Sequence, residues 1–148
     1  MKKKIALEGI ISLLILLYLY TGLTQLLSFK FFYGNIFNQP IFQWSKPVLV
    51  YAIPLSQLLV AVGLFFERTR KPALWASLGL LTMFTVYTVL IVMNALARVP
   101  CTCGGVISSF TWPQHLLFNL CFLVLNVIAL LLKKRTFTGQ ERTHAVAY

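Results

Sequence analysis

Cys101 and Cys103 stand one residue apart in the segment Pro100-Cys101-Thr102-Cys103-Gly104-Gly105. A thiol attacks as its thiolate, and two thiols this near each other close only a small disulfide ring, for which the following glycines allow the tight backbone. Small rings hold their disulfide under strain, and strained or exposed disulfides are the ones that exchange. Thiol–disulfide exchange is therefore the leading chemistry. Two alternatives stay open: inert or structural thiols, and a metal site joined by His115, which would still lack the fourth ligand of a closed zinc site. No metal is expected. Arg98, just before the pair, is a cation that would favour thiolate, and His115 could move protons near neutral pH. The plainer readings are an interfacial charge ending a helix for Arg98 and a hydrogen-bonded interfacial residue for His115. Cys121 lies inside an apolar run and reads as a small packing residue.

The elements that must position these groups are apolar. Of the residues, 59% are hydrophobic and 11% charged, where a soluble domain carries roughly a quarter charged. Four runs are long enough to cross a hydrocarbon core, at about 5–27, 48–66, 72–97 and 113–132, since a crossing takes about 20 helical residues. Lipid cannot satisfy backbone polar groups, so such runs are helices, and no alternating strands suggest a barrel. The expected fold is an all-α membrane protein, a four-transmembrane-helix bundle over 1–135, with a polar tail at 136–148 that reads as disordered. Pro47, Pro72 and Pro113 suit helix starts. The first run could be a cleaved signal, but Glu8 interrupts its start and no small-x-small site follows, so it reads as a retained span.

The formal charge is +10 with only three acidic residues, Glu8, Glu67 and Glu141. On a soluble chain this would suggest nucleic acid; here the cations gather at the ends of the apolar runs, as topology selection requires, and no nucleic-acid partner is expected. Lys2, Lys3, Lys4, Arg68, Arg70, Lys71, Lys133, Lys134, Arg135 and Arg142 fall on one side, and only Lys30, Lys46 and Arg98 on the other. Both termini are thus expected in the cytosol, and the cysteine loop on the periplasmic side of a bacterial inner membrane. The loop 28–46 is rich in aromatics, with Phe29, Phe31, Phe32, Tyr33, Phe37, Phe42 and Trp44. Such residues suit the headgroup zone, so the loop is expected to lie on the membrane or cap the bundle.

Polar residues inside the spans fall in stripes. His115, Asn119 and Asn126 share a helix face, as do Tyr87, Asn94 and Arg98, and Tyr18, Thr21 and Gln25 stack on the first span, with Gln57 on the second. Interhelical hydrogen bonding explains them most simply. The sharper alternative is a polar cleft beneath the cysteine loop for a quinone-like carrier. Gly22, Gly63 and Gly79 would permit close helix approach, and Glu8 would snorkel toward the neighbouring lysines.

The third span, the Pro100–Gly105 segment and the following Trp112-Pro113-Gln114-His115 resemble the MauE family, within the DoxX-like membrane proteins. The likeness runs from roughly Leu16 to Leu132, and its distinctive part is the Cys-x-Cys loop. It departs from the family pattern at Gly104, where Phe is usual, and at Gln57, near a frequent Glu. The resemblance implies a four-helix inner-membrane protein whose paired cysteines lie outside, associated with thioredoxin-like partners. MauE itself is tied to methylamine utilisation, in maturation of the disulfide-rich small subunit of methylamine dehydrogenase. The sequence thus points to a membrane-embedded thiol–disulfide component, Cys101 and Cys103 its redox pair, working with a periplasmic thioredoxin-like protein on exported proteins. A non-catalytic assembly or docking factor and a DoxX-like subunit of a quinone-linked oxidoreductase are the alternatives. No cofactor is required by the pair alone; a quinone is the one a membrane partner would supply.

Overall fold

The computed structural model describes residues 2–38, 42–93 and 111–145, with Lys2, Trp112 and the stretch 134–145 as backbone only. Five α-helices follow in order: α1 (Lys2–Leu27), α2 (Phe29–Phe37), α3 (Lys46–Phe65), α4 (Arg70–Val92) and α5 (Trp112–Ala145). Four of them, all but the short α2, are long and apolar enough to cross a membrane. No strand occurs among the described residues. The four-helix expectation therefore holds; α4 is described to Val92, and positions 94–97 of the expected third span lie outside the described residues. The backbone of α5 is helical from Trp112 to Ala145. A formed helix extends through Lys, Arg, Gln and Glu at little cost, because only nucleation is expensive.

The long helices pack as a ring, α1 on α3, α3 on α4, α4 on α5 and α5 back on α1. Each turns a stripe inward. On α3 the buried residues Lys46, Val50, Pro54, Gln57, Ala61 and Leu64 recur at helical spacing, which places them on one face. Leu7, Ile11, Leu14, Leu64, Leu74 and Ala129 fill the apolar core. The opposite faces are covered with exposed aliphatics such as Leu16, Leu59, Val86 and Val124, which lipid accommodates. Glycine sets two of the approaches. A Cβ on Gly22 would lie 3.0 Å from Leu58 Cδ2 and 3.4 Å from the Pro54 carbonyl, and one on Gly63 would lie 3.0 Å from the Ala73 Cβ. Gly79 meets nothing, so it brings no helix closer.

One end of the ring is basic and tightly tied. The turn from α3 to α4 leaves the last carbonyls of α3 unpaired, which lipid would not tolerate. Thr69 Oγ1 donates to Gly63 O at 2.8 Å and Arg70 Nε to Leu64 O at 3.1 Å. Arg70 Nη1 also donates to Glu8 Oε1 of α1 at 2.6 Å. Glu8 therefore pairs with a distant arginine rather than with the adjacent lysines.

The other end is aromatic. The loop expected at 28–46 contains α2, whose buried Phe32 and Ile36 pack on Val50 of α3 as a small second core. Phe31, Tyr33, Phe42 and Trp44 are exposed around it, and Tyr33 stacks on Phe37 with ring centroids 4.3 Å apart. The ammonium of Lys46 donates to the Phe37 carbonyl at 2.8 Å. A cation at a helix C-terminus meets its negative dipole end, so this bond fastens α2 to the start of α3.

Candidate functional site

The described chain leaves α4 at Met93 and resumes at Thr111 before α5. Because α4 and α5 pack antiparallel, both points belong to the aromatic end, opposite the Glu8–Arg70 pair. Cys101, Cys103 and Arg98, with Asn94 of the expected stripe, lie outside the described residues. His115 is described: it is 3% exposed, in the first turn of α5. That turn is fixed locally, since Gln114 Oε1 accepts the Thr111 N–H at 2.9 Å and Pro113 stands where a helix needs no N–H.

Below His115 the interior carries polar groups at successive depths. Asn119 Nδ2 donates to Thr88 Oγ1 of α4 at 3.4 Å. Deeper still, Tyr18 Oη lies 2.8 Å from Ser77 Oγ and donates to Ser77 O at 3.2 Å. Asn126 Nδ2 donates to the same Ser77 Oγ at 3.0 Å and to Leu74 O at 3.3 Å. One serine thereby ties α1, α4 and α5 together in the middle of the bundle. Tyr18 and Asn126, from two of the expected stripes, both meet Ser77, and Asn119 reaches Thr88, so these stripes do bond across helices but to residues outside them. Ser77 was not legible as their partner, because nothing in its local sequence separates it from other small residues in spans.

Thr21 does less than its place in the stripe suggested. Thr21, Thr85 and Thr88 each donate to the carbonyl four residues earlier, at 2.8, 2.6 and 2.7 Å, the usual way a hydroxyl is satisfied inside a helix. Side-chain amides cannot do this so easily. Gln25, Gln57 and Asn126 are 6%, 4% and 0% exposed, and among the described residues Gln25 Oε1, Gln57 Oε1 and Asn126 Oδ1 have no hydrogen-bond partner. Buried acceptors left unpaired are costly, at about 1–3 kcal/mol each. Gln25 near the end of α1 and Gln57 on the inward stripe of α3 extend the polar interior toward the aromatic end. Cys121 is exposed on the outside of α5 rather than packed in the core, and so faces away from this interior. No group of three or more metal-binding side chains occurs among the described residues.

A ring of four membrane-length helices with polar groups buried along its interior defines a class, the small four-span helical membrane proteins. The chain belongs to the MauE family: the family model described as methylamine utilisation protein MauE matches residues 3–132. No curated protein and no solved structure matches it.

Proposed function

We propose that this protein is a thiol–disulfide exchange component of the bacterial inner membrane, with Cys101 and Cys103 acting from the periplasmic side on a thioredoxin-like partner. The carrying observation is the Cys-Thr-Cys spacing in the one connection between α4 and α5, at the end opposite the basic turn and N-terminal lysines. Cation distribution supports the orientation, because Lys and Arg are retained in the cytosol. Family membership supports a role in methylamine utilisation, and the resemblance described above supports maturation of a disulfide-containing exported protein.

In one direction, a thiolate of the pair attacks a disulfide sulfur of the partner. A mixed S–S bond forms and the partner's second sulfur leaves as thiolate. The remaining cysteine then attacks the mixed disulfide, giving the Cys101–Cys103 disulfide and a reduced partner. Two electrons and two protons pass from the pair to the partner, and the reverse sequence oxidises the partner instead. Arg98 favours the attacking thiolate, and His115, buried in the first turn of α5, exchanges the protons.

Cys101→Ser and Cys103→Ser made separately test this. One of the two accumulates a mixed disulfide with a periplasmic protein, visible on non-reducing gels and lost on reduction. A second reading, a docking factor, is favoured by the exposed aromatic surface of Phe31, Tyr33, Phe42 and Trp44. Under it, the double Cys→Ser variant supports client maturation as well as wild type and neither single variant traps anything.

A further inference from the structure

Lys46 is 6% exposed and lies on the inward stripe of α3, beneath α2. Among the described residues its ammonium has one hydrogen-bond acceptor, the Phe37 carbonyl at 2.8 Å, with the Phe37 ring centroid 5.9 Å away. An ammonium carries three N–H donors and a full charge, and one carbonyl with one ring leaves both in excess. The chain itself brings no carboxylate side chain to this end. Of its three acidic residues, Glu8 and Glu67 flank Arg70 at the basic end, and Glu141 follows the last span in the far part of α5. The rise along α3, about 30 Å for its 20 residues, separates that end from Lys46. A second donor lies in the same junction. Asn35, on the buried face of α2 with Phe32 and Ile36, is 8% exposed, and its Nδ2 has no partner among the described residues.

A junction with spare donors, a buried cation and no acid is complementary to an anion with oxygen acceptors. Exposed Phe42 and Trp44, 77% and 78% accessible, stand immediately before Lys46, and aromatic residues of this kind mark the headgroup level of a membrane. The anion present there in quantity is the phosphodiester of a phospholipid, whose acyl chains would lie along the apolar outer face of α3. We infer that the α2–α3 junction is a binding site for the phosphate of an anionic phospholipid, held by Lys46 with Asn35 as supporting donor. The site does not depend on the cysteine chemistry.

The test uses the full-length protein, delipidated in a phosphate-free detergent and titrated with phosphatidylglycerol, bound lipid per chain being counted by native mass spectrometry. Wild type binds one phosphatidylglycerol tightly; diacylglycerol, which lacks the phosphate, does not compete. Lys46→Met weakens binding at least tenfold, Lys46→Arg less than threefold, and Asn35→Leu by an intermediate factor. Lys30→Met, which removes an exposed cation of α2, changes it less than twofold. Helix content by circular dichroism shows that each variant is folded, and Lys46→Arg carries the comparison should Lys46→Met fail to fold: loss of binding with the charge kept refutes the inference. Equal binding by Lys46→Met overturns it, as does equal competition by diacylglycerol. Displacement of the lipid by millimolar inorganic phosphate overturns the lipid as source.

Discussion

Removing the Tyr18 hydroxyl isolates the polar knot at the centre of the bundle. Tyr18→Phe keeps the ring, which is 2% exposed, and deletes the oxygen that lies 2.8 Å from Ser77 Oγ and 3.2 Å from Ser77 O. Interhelical hydrogen bonds in membrane proteins contribute about 0.6–2 kcal/mol each, and either hydroxyl can donate in the Oη–Oγ contact, so the expected loss is about 1–3 kcal/mol. Ser77 avoids a full burial penalty, since its hydroxyl can turn to a carbonyl of its own helix. Ser77→Ala removes the 2.8 Å contact and also one of the two acceptors of Asn126 Nδ2, leaving Leu74 O, and costs about 1–3 kcal/mol. The backbone contact from Tyr18 to Ser77 O survives that change. A double-mutant cycle therefore reads the side-chain contact alone, with an expected coupling of about 1 kcal/mol. Thr82, exposed and bonded to its own helix at Leu78 O, shares no partner with Tyr18, so Thr82→Ala should add to Tyr18→Phe within about 0.5 kcal/mol. Reversible unfolding in mixed micelles, followed by circular dichroism, supplies the free energies. A Tyr18–Ser77 coupling no larger than the Tyr18–Thr82 control would refute the hydrogen-bonded knot and leave packing as the sole tie.

Gly22→Leu should destabilise the bundle by about 1–3 kcal/mol through overpacking against Leu58 and the Pro54 carbonyl, measurable in the same unfolding assay, whereas Gly79→Leu, with open space around it, should be far milder. Glu8 is 40% exposed at its side chain, so Glu8→Gln should cost only about 0.5 kcal/mol. Arg70→Met should cost more, because it also uncaps the Leu64 carbonyl of α3; equal effects in thermal unfolding would mean that the cap contributes nothing. Cys121→Ala, on the outer face of α5, should leave both stability and disulfide trapping by the other cysteines unchanged, and a loss of trapping would make Cys121 part of the exchange.

Apolar length made the four spans legible, because a stretch that must satisfy its own backbone in lipid has almost no alternative to helix. The inward faces were legible for the same reason: Tyr18, Asn126 and His115 fall on stripes whose polar groups lipid would reject, and all three are buried. What escaped were contacts set by tertiary approach. Ser77 and the Glu8–Arg70 pair join residues far apart in sequence, and their partners cannot be read from local pattern. The helix α2 was hidden in plain composition: Phe29, Phe32, Ile36 and Phe37 repeat at helical spacing, but so many aromatics surround them that the period is blurred. The amides divided less predictably, since Asn119 and Asn126 donate to groups of α4, while the oxygens of Gln25, Gln57 and Asn126 alike stay unpaired among the described residues. The Cys-Thr-Cys signal, by contrast, is entirely local and needed no fold to be seen.

The account rests on two thiols that a water-soluble protein can reach from outside the cytosol. In intact cells expressing a Cys121→Ala variant, a bulky membrane-impermeant maleimide applied before and after an impermeant reductant reads both the side and the oxidation state of Cys101 and Cys103. The account predicts added mass on the protein without permeabilisation, increased by reduction, and absent from the double Cys→Ser control. Labelling that appears only once the membrane is opened would contradict it.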